Sequence, residues 1–558
     1  MTGTQLRRTG PRNPKLKRIA WLEPGRLPFG WDDQNIYKGV LFPRAGPRMA
    51  AVLDSLGYDT TVISGELSPL DVDEIARDFD VACLSLISAT APHGLILGRQ
   101  LAERGVPVVA GGYHFAHSDS SPKALTCTAQ ALQFVPYVVR GEGYQSLPLL
   151  LSALEHRQPL SGIPGISFLS AGVPVHIPPA PLLSKDFLNQ LPLPAWNKVR
   201  DHDRMAIFSA HGMQGCPRKC SWCAVWPRDG RQDRNLDPTR LVDEIENALA
   251  LSHLQHLFMS ADNFPAFRNW AVAVCEEILR RGLKLEWTCQ AEVPAALQPE
   301  LVDLMKRAGC VRWAVGFESV SQEALKSSQK RQTVGNMAEA VRALHRAGIA
   351  VHGMFICGLP GDTAQTIRET VKWAKRVGID TAQFLCLIDL PGSQDYDERK
   401  LDQASFRPFE EPYDLLNWFF VNGHYARLGN ESLSLQQVQQ AAIESTRSFY
   451  SLPRVLLPMV WPNWPRFRAE RRQGQPWGRS LGKSFMHNWI TFAQRLRGWT
   501  LTRQWERAPL NRLYRQLLRE PDRAAELTRG LLDALPGEWG EVLQRVAVEP
   551  LAAQQEAA

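Results

Sequence analysis

The sequence predicts an α/β protein in three parts: a doubly wound parallel sheet of Rossmann type, a partial (β/α)6 barrel, and a mostly helical C-terminal region. Three observations predict it. Short apolar runs alternate with amphipathic stretches at βαβ spacing twice over, first from 18 to 155 and again from 206 to 388. A proline-rich LPLPAW at 191–196 separates the two series, and from about 401 the pattern turns helical. A length of 558 residues also calls for about three ordinary cores rather than one. The expected division is a basic tail at 1–16, a sheet domain at 17–190, a linker at 191–204, a barrel at 205–400 and a helical domain at 401–558.

In the first series, RIAWL at 18–22, residues 60–64, VACLSLI at 81–87, 106–110 and 137–139 read as strands. Helices are expected near 48–56, 72–77, 97–104 and 146–155. Ligands of such sheets sit beyond the carboxyl ends of the strands. Those ends carry Ser88 and Thr90, then Gly111, Gly112 and His114, then Gly141, Glu142 and Gly143. Small residues there let a ligand approach the backbone closely. No G-x-G-x-x-G opens the first helix, which argues against a dinucleotide. The second series has strand-like runs at 206–209, 256–260, 285–289, 312–317, 351–357 and 381–388. Six βα repeats fit a partial barrel, with its chemistry at the carboxyl ends of the strands.

Composition narrows the class. Apolar residues at 44% and charged residues at 22% exclude a disordered or collagen-like chain. No run reaches the ~18 apolar residues of a membrane span. The N-terminus is basic without the apolar core of a secretory signal, so a cytoplasmic location is expected. The net charge of +7 is unevenly spread. Residues 451–519 hold thirteen Arg and one Lys against Glu470 and Glu506, an excess of +12 that leaves the remaining chain at −5. Six of the seventeen tryptophans share that stretch: Trp461, Trp464, Trp477, Trp489, Trp499 and Trp505. Arg with Trp suits either a peripheral contact with an anionic membrane or a helical core with a solvated basic face. Nucleic acid is not expected, because no zinc-finger, ribonucleoprotein or helix-turn-helix signature is present.

Ten cysteines are too sparse for a disulfide scaffold in a chain of this length. Three of them stand together in HGMQGCPRKCSWC, directly after the first barrel strand: Cys216, Cys220 and Cys223. C-x-x-x-C-x-x-C on one loop can set three thiolates around one metal centre, and soft thiolates suit zinc or an iron–sulfur cluster. A closed zinc site needs a fourth ligand. Cys275, Cys289, Cys310, Cys357 and Cys386 are isolated in helix or strand patterns and supply none.

C-x-x-x-C-x-aromatic-C after the first strand of a partial barrel resembles the radical S-adenosylmethionine (SAM) enzymes. The resemblance implies a TIM-type barrel in which Cys216, Cys220 and Cys223 bind a [4Fe-4S] cluster whose open iron chelates SAM. Trp222 then occupies the position facing adenine. Asp262 and Asn263, in SADNF, stand where the family contacts the methionine moiety. Glu318 and Ser319, in GFES, stand near ribose and carboxylate. Gly358 belongs to GMFICGLPGDT, which is similar to the fifth-strand motif packing along the adenine, with Asp362 replacing the usual Glu. One electron from the cluster would cleave SAM to a 5′-deoxyadenosyl radical. The preceding sheet, with G-G-x-H and VVRGEG, resembles the cobalamin-binding subgroup, so that Ser88, Thr90, Gly111, Gly112, His114, Gly141, Glu142 and Gly143 become cobalamin-binding candidates. The D-x-H-x-x-G motif that ligates cobalt from below is absent, and His114 lies in GGYH without its Asp.

The activity this resemblance implies is cobalamin-dependent methylation of an unactivated carbon, of the kind performed by class B radical SAM methyltransferases. Rivals are a non-methylating reaction such as magnesium-protoporphyrin ester cyclisation, and a non-catalytic cobalamin or cluster sensor. An electron donor such as flavodoxin or ferredoxin is implied, with a small-molecule or lipid substrate. Substrate contacts are sought at the predicted strand ends, in Gln290, Glu292, His352, Gln383, Asp389 and Tyr396.

Overall fold

The fold is taken from a computed structural model, which describes residues 16–25, 45–115, 125–205, 207–252, 256–330, 332–398, 406–456, 467–468, 471, 474, 476–534 and 538–548. The basic tail before 16, Trp461, Trp464 and Glu470 lie outside the described residues.

The first sheet has seven strands in the order β2-β1-β3-β4-β5-β6-β7. These are β1 (Arg18–Glu23), β2 (Asp59–Ser64), β3 (Val81–Ser85), β4 (Val108–Gly111), β5 (Tyr137–Val139), β6 (Ile166–Ser170) and β7 (Val173–His176). The first five are parallel, as βαβ crossovers require. Ile19, Ala20 and Leu22 of β1 are almost wholly buried, because helices cover both faces of a parallel sheet. β6 and β7 form an antiparallel hairpin added beside β5, which the alternating pattern did not announce. β3 also stops earlier than its apolar run. Thr90 Oγ1 accepts from Ile87 N, turning 88–90 into a 3₁₀ turn that leads into the helix Ala91–Glu103.

The second sheet is β8 (Phe208–Ala210), β9 (His256–Met259), β10 (Glu286–Ala291), β11 (Cys310–Glu318), β12 (Ala350–Cys357) and β13 (Thr381–Cys386). All six are parallel and lie in sequential order, giving an open, partial barrel. Two crossover helices begin on threonine caps, the second of them the last residue of GMFICGLPGDT. Thr333 caps Val334–Arg346 and Thr363 caps Ala364–Arg376, each accepting from the backbone N–H three residues on.

The C-terminal region closes both sheets. The helix Leu435–Phe449 packs on β13, and the Tyr450 hydroxyl both accepts from Ala382 N and donates to Ala382 O, satisfying the open edge. The turn Asp414–Phe420 crosses to the sheet domain, where Trp418 Nε1 donates to Gln130 Oε1 at 2.8 Å. Trp418, Phe419 and Phe420 join one buried apolar cluster with Leu84, Leu95 and Val108. Polar ties join sheet to barrel. Arg48, on the helix Ala45–Ser55, makes a fully buried ion pair with Glu244 on Pro238–Leu249 and also donates to His211 O. Tyr113 donates to Asp229 Oδ2 at 2.7 Å.

Candidate active site

The carboxyl ends of the barrel strands open on a cavity of about 990 Å³, at the upper end of the range for small-molecule sites. Cys216, Cys220 and Cys223 line it, together with Trp222, Asp262, Asn263, Glu318 and, from the sheet domain, Tyr113. The cysteine loop is fixed by its own backbone. Cys216 N donates to Gly230 O, Cys223 N to Cys220 O, and Trp226 Nε1 to Cys220 O. Ser221 is tied to Asp395 through both backbone and hydroxyl.

Burial pushes the Cys216 thiol up to about 11 and the Cys223 thiol up to about 12, and it raises Cys220 as well. Three ionised thiolates on this loop therefore need a cation among them, as a thiolate-ligated metal centre supplies. Among the described residues, no three His, Cys, Asp or Glu side chains converge as a single chelated ion requires. A four-iron cube places its thiolates on separate irons and asks for no such convergence. The other seven cysteines are buried, as packing residues are.

The end of β11 is shaped to deliver a carboxylate. Its register with β12 shifts between Gly316 and Glu318, and Glu318 adopts φ 61°, an unusual conformation for a residue with a side chain. A Cβ on Gly316 would lie 2.5 Å from Glu318 Oε1 and 3.2 Å from Lys330 Nζ, so the carboxylate folds back over a space that a side chain here would take. Glu318 pairs with Lys330 at 2.9 Å, and Lys330 stands 5.8 Å from the Trp222 ring. Burial alone would lower the Lys330 ammonium, but Glu318 and the neighbouring Cys220 outweigh it and hold it above its ordinary value. Gln332 Nε2 braces the same strand end by donating to Phe317 O at 2.7 Å. Past the end of the neighbouring strand β10, Glu292 forms a two-pronged pair with Arg218 of the cysteine loop. Trp222 Nε1 and Asn263 Oδ1 are buried without a hydrogen-bond partner among the described residues, an arrangement that costs free energy until a ligand satisfies it. The donor set, the paired charges and these two polar atoms fit a cluster with an amino-acid-bearing nucleoside beside it.

Not every residue expected at the site reaches it. Gln290, Glu292 and Gln383 line the cavity. His352, Asp389 and Tyr396 do not. His352 is buried on β12 against Thr381 Oγ1, with burial lowering its imidazole to about 3. Asp389 forms a fully buried ion pair with Arg427, and Tyr396 is buried in the core. Ser319 turns away to donate to Asp362 Oδ1. Gly358, at φ +87°, allows Val438 of the helix Leu435–Phe449 to approach, and so lies behind the wall.

On the sheet side, none of the eight residues expected there lines the cavity; Tyr113, between two of them, does. Gly112 is a glycine because a Cβ there would lie 2.5 Å from Leu86 O and 2.6 Å from Leu86 N. Thr90 caps its own turn, and Ser88 faces His114 Nδ1 at 3.2 Å. His114 is wholly buried beside Trp418, and burial lowers it to about 3, so it is neutral. Glu142 accepts from Leu183 N and pairs with Arg234, tying the domains together. Gly111 ends β4, and Gly141 and Gly143 supply positive-φ turns around Glu142. Lys330, Gln332, Arg218 and Tyr113 were missed. Arg218 and Tyr113 sit inside the quoted motifs, whereas Lys330 lies twelve residues beyond Glu318 and meets it only through the fold.

A partial parallel barrel with a three-cysteine loop at the mouth of its first strand, preceded by a doubly wound sheet, defines a class of cluster-dependent enzymes. The Radical SAM superfamily model matches residues 212–374. Those residues, which hold the cysteine loop and most of the barrel, are thus a radical SAM domain. It is 24% identical over 438 residues to an uncharacterized methyltransferase of Pyrococcus horikoshii, covering 76% of this chain and 91% of that protein. It is 30% identical over 369 residues to the anaerobic magnesium-protoporphyrin IX monomethyl ester cyclase of Rubrivivax gelatinosus, covering 63% and 65% respectively. The cobalamin-dependent S-adenosylmethionine radical enzyme OxsB, solved with aqua-cobalamin and S-adenosylmethionine, superposes with a TM-score of 0.52 over 96% of this chain and 84% of OxsB, at 14% identity.

Proposed function

We propose that this chain binds a [4Fe-4S] cluster, SAM and cobalamin, and methylates an unactivated carbon of a small-molecule or lipid substrate. The observation that carries the proposal is a single cavity shared by the three-cysteine loop, the Glu318–Lys330 pair and Tyr113 of the sheet domain. When bound, the three groups supply reductive cleavage of SAM, hydrogen abstraction and the transferred methyl. The chain's own residues bind and orient. Cys216, Cys220 and Cys223 hold the cluster, Trp222 and Asn263 offer partners to SAM, and Glu318 with Lys330 faces its polar end. Gln290 and Gln383 offer neutral amides to the substrate, and the surrounding apolar wall of Met354, Ile356, Leu385 and Leu390 limits water.

Cobalamin is assigned to the space between sheet and barrel, reached by Tyr113. His114, neutral and enclosed by Trp418, is not assigned as a cobalt ligand. We divide the chain into a tail at 1–16, a sheet domain at 17–190, a linker at 191–204, a barrel at 205–400 and a helical domain at 401–558. An electron donor of flavodoxin or ferredoxin type is assigned as partner. The location is read as cytoplasmic, with the basic stretch 451–519 at the inner membrane face. A second outcome, oxidative ring closure without methyl transfer, is supported by the 30% identity to the cyclase.

The test is anaerobic reconstitution followed by turnover with methyl-labelled SAM and extracts of a deletion strain. Label appearing in a product alongside 5′-deoxyadenosine supports methylation. 5′-Deoxyadenosine with an unlabelled product favours ring closure, and no reductant-dependent cleavage of SAM sinks both.

A further inference from the structure

The helix Trp477–Arg507 is turned inside out over its first twenty residues or so, whereas Leu501 and Trp505 near its end are buried in the ordinary way. Its buried positions include Ser480, Ser484, His487, Asn488, Thr491 and Arg495, which recur at helical spacing and form one polar stripe. That stripe is held against the barrel floor. Arg495 donates through Nε to Asp380 O at 2.8 Å and through Nη1 to Arg454 O at 3.2 Å. His487 Nε2 stands 3.7 Å from Asp380 Oδ1, and Arg312 donates to Gln494 at 2.7 Å. Asp380 immediately precedes β13, while Gln383 and Leu385 further along that strand line the cavity. The helix therefore lies at the end of the barrel away from the candidate active site.

Its outward stripe is apolar. Phe485, Met486, Trp489, Ile490 and Leu496 are exposed by 49, 60, 55, 43 and 38%. A surface helix ordinarily buries such a stripe, and a contiguous exposed one marks a surface that meets something. The exposed charge bordering it has one sign. Arg479 precedes the stripe and Arg497, Arg503 and Arg507 follow it, all exposed. Glu506, the helix's one acidic residue, is paired with Arg447. An apolar stripe of Trp, Phe and Ile bracketed by arginines matches the layering of an anionic bilayer, with acyl chains below a negative headgroup plane. A protein partner would have to offer an apolar groove ringed by acids.

We propose that the outward face of Trp477–Arg507 docks this protein on anionic phospholipid, with Phe485, Met486, Trp489 and Ile490 inserted and Arg479, Arg497, Arg503 and Arg507 on the headgroups. This rests on the assignment of 451–519 to the membrane face and adds to it the helix, its inserted side chains and the lipid charge. It also sets the cavity mouth on the side away from the lipid.

The test is flotation of the reconstituted protein with phosphatidylglycerol–phosphatidylcholine vesicles and with phosphatidylcholine alone. Binding to the anionic vesicles should weaken steeply as salt rises. The double variant Phe485→Ser with Trp489→Glu should bind about tenfold more weakly or worse, with unchanged circular dichroism, since both residues are exposed. Reductant-dependent SAM cleavage in free solution, measured on both proteins, should be equal, which separates this proposal from the chemistry. Wild-type protein that ignores anionic vesicles overturns both the docking face and the assignment of 451–519. A double variant that binds as well as wild type overturns the face and leaves the basic stretch as the contact. A wild-type dimer that the double variant dissolves overturns the lipid in favour of a second copy.

Discussion

Gly316 carries no functional group, yet it decides where one goes. Its missing Cβ is the space into which Glu318 folds to meet Lys330. Gly316→Ala should push the Glu318 carboxylate off its place beside Lys330 and weaken SAM binding to the reconstituted enzyme by about tenfold, the size of one charge-assisted hydrogen bond, while iron content is retained. Calorimetric titration of SAM together with iron analysis checks both halves. Asp362 works in the same way. Its carboxylate accepts from Ser319, Thr366 and Leu359 N, and burial raises it to about 6. Because the folded value lies above the unfolded one, the folded state binds the extra proton between about pH 4 and 6. The ionised group is then a burden at neutral pH that vanishes in acid. The melting temperature of Asp362→Asn relative to wild type should therefore rise from pH 4 to 6 and level off above 7. A flat difference would show that the carboxylate bears no such burden. The Asp that replaces the family's Glu was visible in the sequence; that it braces the turn behind the cavity was not, because its partners come from β11 and from the following helix.

The elements that build the site were legible where local pattern and burial agree. The five parallel strands of the first sheet and the six of the barrel stand where apolar runs placed them, because strands covered on both faces read as continuous hydrophobic segments. The hairpin β6–β7 was hidden, since only Ile166 and Ser167 of it are buried and the rest is half or more exposed. Contacts between elements were hidden too. Glu142 and Arg234, and Arg48 and Glu244, are distant in sequence and have no spacing to betray them. Removing one member of a buried pair strands the other's charge, so Arg48→Met should destabilise the chain by about 3–5 kcal/mol. Adding Glu244→Leu should recover most of the loss. Denaturant unfolding of the two variants measures it, and equal stability of Arg48→Met and wild type would show the pair to be idle.

Across the whole molecule, charge and tryptophan separate a near-neutral chemical core from a basic C-terminal region, and the fold gives that region two tasks. It seals both sheets, through Tyr450 at the β13 edge and Trp418 on the sheet domain, and it presents the inverted helix outward. By itself the sequence determined the fold class, the cysteine loop and the family, because these are written in local periodicity and in residues that act as neighbours. Tertiary structure alone decided that Lys330 answers Glu318, that Asp389 and His352 are core residues, and that Trp489 faces outward while Trp505 of the same helix is buried. Composition states which side chains a helix owns, but only packing against the barrel floor selects the stripe that is buried.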